Sequence, residues 1–200
     1  MEQTADRGGA QTRARILDVA WDLITRYGAG LPMRDIAAGA GISRQALYLH
    51  FPSRTALLNA MTRRHDAEAR IDQRFRAALA APTALEALEA VVRTWFEYVP
   101  DILPMARALY AASTTDPAAA DAWWDRSVAA GTPMKLAAKR LRAEGLLDSS
   151  WTPEQAAEFL WLLMHPRGWD DLVLQRGWSA EQYVDRQIEA AKRILLAGSG

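Results

Sequence analysis

The stretch that decides the fold is DIAAGAGISRQALYLHFPSRTALL, residues 35–58. Its pattern predicts two short helices separated by a turn at Gly41, followed by a longer helix. Ser43 is placed to cap the second short helix, because its hydroxyl can accept hydrogen bonds from backbone N–H groups that lack a helical partner. In that helix Leu47 and Phe51 are one turn apart, so both are expected to face inward.

The other side of the second short helix carries Arg44, Gln45, Tyr48 and Leu49. A helix of about two turns that presents such side chains and is held by a neighbouring helix fits the major groove of DNA. Arg pairs well with guanine, Gln with adenine, and an apolar tip with a thymine methyl group. An exposed leucine without any function would explain Leu49 equally well. For the whole stretch, the alternative is an ordinary helical hairpin in which Tyr48 and His50 pack locally.

The region from about Thr12 to Leu58 resembles the DNA-binding domain of the tetracycline-repressor (TetR) family of bacterial regulators. The residues that carry this resemblance are Ile36-Ala37, Ala40-Gly41-Ile42-Ser43, Leu47-Tyr48, His50-Phe51-Pro52-Ser53 and Leu57-Leu58. The resemblance implies a homodimer in which each subunit places its second short helix in a major groove of a palindromic operator. It also implies a divergent C-terminal body that dimerises and usually binds a small effector.

The same resemblance assigns roles to single residues. Four positions match places where such proteins commonly contact phosphate: Ser43, Tyr48, His50 and Arg54. Base readers fall at Arg44, Gln45 and Leu49, and Arg34 of the first short helix is also expected at the DNA. Loss of Arg44 should therefore relax sequence specificity, whereas loss of Arg54 should weaken binding to all sequences and flatten its salt dependence.

Three positions depart from the family pattern. Pro32 stands where a threonine commonly caps the first short helix, so that hydroxyl is missing, although proline suits a first helical turn. Arg54 replaces the usual lysine, which keeps the charge but changes the geometry available for phosphate. Leu49 replaces a residue that is more often polar, so the operator sequence cannot be copied from relatives.

The charge distribution is uneven although the net charge of the 200 residues is zero. Residues 1–65 hold nine Arg and no Lys against five acidic residues, a balance of +4, and the remaining residues hold a balance of −4. A basic segment joined to an acidic body indicates that one part of the chain meets phosphate. A chance imbalance of surface charge is the alternative.

The remaining composition restricts the function further. The chain has no cysteine, which excludes disulfides, thiolate metal sites and cysteine nucleophiles. No apolar run reaches the length of a membrane span, and the N-terminus lacks a signal-peptide core, so we expect a cytoplasmic protein that does not enter membranes. Neither a metal site nor a cofactor is predicted, since the three histidines have no ligand spacing.

Hydrophobic periodicity and capping signals predict an all-α chain with no strand. We expect a flexible arm over 1–11, a helix-turn-helix DNA-binding domain over 12–53, and a helical effector-binding and dimerisation domain over 54–200. The first helix should start near Thr12 and end at Gly28, and the helix after the DNA-reading one should run over 54–80. The later helices are expected near 84–99, 102–113, 117–130, 133–144, 153–165, 169–176 and 180–197.

Seven of the eight tryptophans follow residue 90. Together with tyrosines they could line a pocket for a flat, apolar ligand, and a cationic ligand could stack on such rings. Helix packing and a dimer interface explain them as well, since tryptophan is enriched at both. The pocket candidates are Trp95, Tyr98, Tyr110, Trp123, Trp124 and Trp161, with His165 as a polar anchor.

The sequence therefore favours a homodimeric DNA-binding regulator, and specifically a repressor, since most regulators of this kind repress. We expect a small apolar or aromatic effector to release it from double-stranded operator DNA. One alternative is a dimeric regulator whose body senses no small molecule. A second is an enzyme that uses the aromatic pocket, against which stand the lack of a catalytic triad and of a glycine-rich phosphate loop. The protein is accordingly expected not to be an enzyme.

Overall fold

The computed structural model describes residues 2–198, with side chains from residue 8 onward. It confirms the predicted all-α class. Within this part of the chain no strand forms, and a single isolated antiparallel bridge joins Leu147 to Leu196. None of the described helices is long and apolar enough to cross a membrane. The α-helices are α1 (Glu2–Tyr27), α2 (Met33–Gly39), α3 (Arg44–His50), α4 (Arg54–Glu68), α5 (Ile71–Leu79), α6 (Ala84–Ala112), α7 (Pro117–Ala143), α8 (Pro153–Leu163), α9 (Pro166–Trp169) and α10 (Ala180–Leu195), and a π-helical segment, Asp170–Gln175, follows α9.

The chain forms two compact units. The first comprises Met1–Glu68 and Pro104–Arg126, so it combines α1 to α4 with the end of α6 and the start of α7. Its core contains Ile16, Ile24 and Ile36 from α1 and α2, together with Leu109 and Ala122 from the two later segments. Within it, α1 packs against α2 and α4, and α2 packs against α3.

The second unit comprises Ala69–Leu103 and Ser127–Gly200. Its core is built from apolar residues of α5 to α10. At its centre Tyr183 makes edge-on ring contacts with Phe96, at 4.9 Å between ring centroids, and with Trp169, at 5.5 Å. Aromatic edge-to-face pairs at this separation stabilise a core beyond the area that they bury.

Most helix starts follow the capping signals in the sequence. Thr152 with Gln155, and Ser179 with Gln182, form reciprocal capping boxes at the starts of α8 and α10. A carboxylate oxygen of Asp116 accepts the Ala118 N–H at 3.0 Å and so caps α7. These capping residues therefore define where α7, α8 and α10 begin.

The N-terminus differs from the prediction. Residues 2–11, expected to form a flexible arm, are the first turns of α1, which begins at Glu2 and not near Thr12. The polar, glycine-containing composition indicated a loop, but helix propensity at single positions is a weak preference that a continuing helix can override. Residue 1 of the expected arm lies outside the described residues.

Three further predictions of helix boundaries were wrong. The expected helix over 54–80 is divided by Arg70, whose backbone is left-handed with φ 51°, into α4 and α5. The pairs expected at 84–99 and 102–113, and at 117–130 and 133–144, are each one helix, α6 and α7. Prolines 100, 104 and 133 therefore lie inside helices, because the apolar faces of α6 and α7 are buried and packing outweighs the hydrogen bond that a proline removes. The short helix expected near 169–176 is α9 followed by the π-helical segment.

The grouping of residues also differs from the division after residue 53 that the sequence indicated. Helix α4 and residues 104–126 belong to the same compact unit as the two short helices. The two short helices are therefore supported by residues 104–126, a segment that begins 77 positions after the end of α1 at Tyr27. The assignment of functions to the two parts stays a prediction.

Candidate nucleic-acid interface

The turn between α2 and α3 fixes the direction in which α3 leaves. Gly41 adopts a left-handed backbone with φ 66°, a conformation that glycine takes without steric cost. The Ile42 N–H then donates to the carbonyl of Ala37 at 3.0 Å, which closes the end of α2. Ser43 caps α3 as predicted, because its hydroxyl oxygen accepts the Ala46 N–H at 3.1 Å.

The inner face of α3 holds the helix in place. Leu47 is fully buried and Phe51, which ends the helix, is 1% exposed. Both belong to the core of the first unit, together with Ile36 and Ala37 of α2. This confirms the predicted inward positions, and the burial leaves the opposite side of α3 on the surface.

The outer face of α3 carries side chains that could reach base edges. Arg44 and Gln45 are both exposed. The Arg44 guanidinium carbon lies 5.6 Å from the centroid of the Tyr48 ring, so the two side chains are stacked at the surface. Leu49 is 83% exposed, so its side chain does not pack against neighbouring residues. The arrangement offers two long polar groups and one apolar tip on one side of a two-turn helix.

The residues predicted to contact phosphate lie around this face. Tyr48 is 37% exposed and His50 is half-buried at the end of α3. Arg34 on α2 is exposed, and its Nε donates to a carboxylate oxygen of Asp35 at 3.4 Å. Pro32 precedes α2 without any side-chain cap, as expected from the missing hydroxyl. These side chains are accessible for DNA backbone contacts.

Arg54 is placed differently from the other predicted contacts. Its guanidinium forms an ion pair with Asp116 inside the first unit, and only 19% of the side chain is exposed. The Nε and Nη2 atoms are buried without a hydrogen-bond partner among the described residues. In this conformation Arg54 therefore does not offer its charge to the surface as Arg44 does.

One cation near this surface was missed by the sequence interpretation. Arg13 on α1 is exposed, and its guanidinium carbon lies 4.5 Å from the centroid of the Phe51 ring. A cation over an aromatic face is held there electrostatically. The contact brings a positive charge from α1 next to the end of α3, and only tertiary structure could reveal this, since 38 positions separate the two residues.

Four of the pocket candidates lie in the second unit. Trp95 is 7% exposed, and its indole N–H donates to the carbonyl of Met164 at 2.6 Å. Tyr98 is 2% exposed in the same core. Trp161 and His165 are half-buried and contact each other edge to face, with 5.7 Å between ring centroids. Of this group, the Trp161–His165 pair is the part that a ligand could reach without opening the core.

His165 also has a structural role that the sequence indicated only as a helix end. Its Nδ1 accepts the Arg167 N–H at 3.1 Å and so caps the start of α9. Burial lowers the pKa of His165 below its ordinary value, and the nearby positive charge of Arg167 lowers it further. The neutral ring is the form that can accept this hydrogen bond.

The other three pocket candidates lie in the first unit. Tyr110 is 49% exposed and contacts the half-buried Trp123 edge to face, at 5.5 Å between ring centroids. Trp124 is 70% exposed and points to solvent. Among residues 8–198, whose side chains the structure describes, no group of three or more His, Asp or Glu side chains could hold a metal ion.

Comparison with known proteins agrees with the arrangement of α1 to α4. Residues 16–61 match the family model described as bacterial regulatory proteins, tetR family. This segment runs from the first buried residue of α1 through the turn and α3 into the core-facing part of α4. No curated protein sequence matches the chain.

Solved structures share the fold over nearly the whole chain. A proposed transcriptional regulator from Saccharomonospora viridis, in complex with choline, is 22% identical with a TM-score of 0.71, covering 94% of this chain and 99% of that one. NalD from Pseudomonas aeruginosa, the secondary repressor of the MexAB-OprM multidrug efflux pump, is 20% identical with a TM-score of 0.65, covering 96% and 100%. The regulator FadR from Bacillus subtilis, in complex with stearoyl-CoA, is 14% identical with a TM-score of 0.71, covering 89% and 96%.

Proposed function

The chain belongs to the tetR family of bacterial regulatory proteins through its N-terminal domain, and we propose that it represses transcription by binding a palindromic operator as a homodimer. A small effector would release it from the DNA. The observation that carries the proposal is the outer face of α3, where Arg44, Gln45 and Leu49 are exposed on a helix anchored by a buried inner face. Because the proposed target is genomic DNA, we propose that the protein acts in the cytoplasm.

Specificity in this proposal comes from α3. Arg44 donates two hydrogen bonds to guanine, Gln45 pairs with adenine, and Leu49 contacts a thymine methyl group. Each well-formed bidentate pair discriminates against the wrong base by about 1–3 kcal/mol. The high exposure of Leu49 supports its role, because an apolar tip held in solvent gains by contacting a methyl group.

Affinity comes from contacts to the DNA backbone around this helix. Ser43, Tyr48 and His50 lie along α3, and Arg34 lies on α2. Arg13, held over the ring of Phe51, adds a charge next to the end of α3. Such contacts orient a protein on the duplex without reading its sequence, and they make binding depend on salt.

Dimerisation is proposed to use α8 and α10 of the second unit. Leu162 on α8 is 60% exposed and Ile194 on α10 is 37% exposed, so each helix presents an apolar side chain to solvent in the single chain. A two-fold symmetric pair of these helices would cover both. A palindromic operator requires such symmetry, since its half-sites are related by a two-fold axis.

The effector is proposed to bind in the helical body and to be apolar or aromatic. The relatives in fold were solved with choline and with stearoyl-CoA, which are chemically unrelated, so the ligand has to be argued from this chain. The accessible aromatic pair of Trp161 and His165 in the second unit supports an aromatic ligand. Tyr110 with Trp123 is a separate accessible pair in the first unit. Effector binding would favour a conformation in which the two α3 helices are wrongly spaced for neighbouring grooves.

A footprint on the DNA that flanks this protein's own gene tests the proposal. We expect protection of one palindrome by two protomers, with binding that weakens as salt is raised. Arg44→Ala should reduce affinity for that palindrome by about 5- to 150-fold. Arg26→Ala is the matched control, since Arg26 is an exposed arginine on α1 that pairs with Asp22. Equal loss in both variants, or no protected palindrome, would contradict the proposal.

The effector is tested separately by thermal shift against a panel of compounds. A ligand that binds only the folded protein raises its melting temperature by mass action. An effector should also lower the affinity for the operator. A panel of apolar and aromatic compounds without effect on either quantity would favour the alternative of a regulator that senses no small molecule.

A further inference from the structure

Helix α4 is tied to the first half of α7 by charged groups in the first unit. Three arginine–aspartate ion pairs join the two helices: Arg54–Asp116, Arg63–Asp125 and Arg126–Asp66. In the first two pairs the partners are separated by the same 62 residues. Helices α4 and α7 therefore run parallel here, and their N-terminal ends lie side by side.

The pair at the starting ends is the most enclosed part of this link. Side-chain exposure is 19% for Arg54 and 20% for Asp116. One carboxylate oxygen of Asp116 accepts from Arg54, and the other accepts the Ala118 N–H at 3.0 Å. Asp116 thus holds the first residue of α4 and the first turn of α7 at the same time.

The second pair strengthens the link further along. The Arg63 Nη2 donates to a carboxylate oxygen of Asp125 at 2.5 Å. This hydrogen bond is the main reason why the pKa of Asp125 lies below its ordinary value, so the carboxylate is charged at neutral pH. Asp125 also accepts from Arg126.

The Arg54–Asp116 pair lies directly after α3, the proposed DNA-reading helix, and holds its C-terminal end in place. Phe51 ends α3, and Pro52 and Ser53 are the only residues before Arg54. Proline fixes its own φ, and the Ser53 hydroxyl oxygen accepts the Ala56 N–H at 3.0 Å, so this connection is short and restrained. Anchoring Arg54 therefore restricts where α3 can end.

We infer that Arg54 is a positioning residue for DNA recognition, held by Asp116, and not the phosphate contact that its place in the family pattern implies. This inference rests on the proposed DNA binding. The burial of Nε and Nη2 supports it, because a guanidinium that reaches phosphate needs those donors at the surface. Asp116, far along the chain from the reading helix, becomes a determinant of operator affinity.

The two roles of Arg54 make opposite predictions for Asp116→Asn. Asparagine keeps an oxygen that can cap α7 but removes the charge that holds Arg54. If Arg54 positions α3, Asp116→Asn and Arg54→Gln should each weaken operator binding by at least about fivefold, and the double variant should be no weaker than either alone. If Arg54 contacts phosphate, Asp116→Asn should leave affinity unchanged or raise it, because it frees the guanidinium.

Salt dependence provides an independent measurement. Positioning predicts that Arg54→Gln leaves the slope of log affinity against log salt unchanged, whereas loss of a phosphate contact lowers its magnitude by about 0.9. Asp121→Asn is the matched control, since it removes an exposed carboxylate from the same helix, and it should bind as the wild type does. If Arg54→Gln fails to fold in a melting experiment, Asp116→Asn and its salt slope decide alone.

The outcomes separate this inference from the proposed function. A wild-type protein that binds no palindrome refutes the proposed function itself. If the wild type binds a palindrome but Asp116→Asn binds equally well, only the positioning role of Arg54 is overturned. The same holds if Arg54→Gln reduces the slope of log affinity against log salt.

Discussion

The contact between Gly168 and Tyr183 allows a quantitative test of the packing in the second unit. A Cβ atom added at Gly168 would lie 2.5 Å from the Tyr183 hydroxyl oxygen, whereas ordinary van der Waals contact begins at 3.4 Å. Tyr183 is fully buried and held by the rings of Phe96 and Trp169, so its ring has little room to shift. Gly168→Ala should therefore overpack this site.

The expected cost follows from two opposing effects. Overpacking a well-packed core costs about 1–3 kcal/mol. Alanine is preferred over glycine in a helix by about 0.5–1 kcal/mol, and part of this preference offsets the cost in the short α9. The net loss of unfolding free energy should be about 1–2 kcal/mol, which lowers the melting temperature of a chain of this length by about 2–8 °C.

Thermal melting followed by circular dichroism measures this effect, with two controls. Gly131→Ala lies inside α7 where an added Cβ meets nothing within 4 Å, so this variant should be as stable as the wild type or slightly more stable. Tyr183→Phe removes the clashing oxygen and leaves the nearest ring carbon at 3.6 Å from the added Cβ, so it should rescue Gly168→Ala. A Gly168→Ala protein as stable as the wild type, or one that Tyr183→Phe does not rescue, would show that the Tyr183 hydroxyl does not restrict the space at position 168.

Two other variants test the caps. Ser43→Ala removes the acceptor for the Ala46 N–H and should destabilise the first unit by about 0.5–2 kcal/mol, measured by denaturant unfolding, with an unchanged midpoint as the contrary result. Because the pKa of His165 is lowered in the folded protein, the unfolded chain binds the proton more readily. The stability contributed by the neutral His165 ring is therefore complete above the ordinary pKa of 6.5, and it is lost as the pH falls from that value toward the lower pKa of the folded protein. His165→Asn keeps a capping acceptor and should make stability less dependent on pH between about 7 and 5; parallel profiles for both proteins would contradict this.

The local features of α2, α3 and the turn between them could be predicted from the sequence. Ser43 caps α3, Gly41 turns the chain, and Leu47 and Phe51 face inward, all as predicted. Each of these features is decided by residues within one or two helical turns. The family was recognisable from the same stretch for this reason, and the match over residues 16–61 confirms it.

Features decided over long distances could not be predicted. Arg54 and Asp116 are separated by 62 residues, and no local pattern indicates that they pair. Pro100 and Pro133 stand where helix boundaries were predicted, but burial of long apolar faces keeps α6 and α7 continuous. The aromatic residues of the body gave no means to tell a pocket from a core, because burial depends on helices that the sequence does not place.

Operator affinities measured for a set of single base-pair changes test whether the outer face of α3 reads bases. The wild type should lose about 5- to 150-fold in affinity when the guanine contacted by Arg44 is changed, in either half-site. Arg44→Ala should bind with the same affinity whichever base pair occupies that position, and it should keep the wild-type base preferences at the other positions. If Arg44→Ala keeps the wild-type base preference at every position, or if the wild type prefers no sequence, the outer face of α3 does not read bases as proposed.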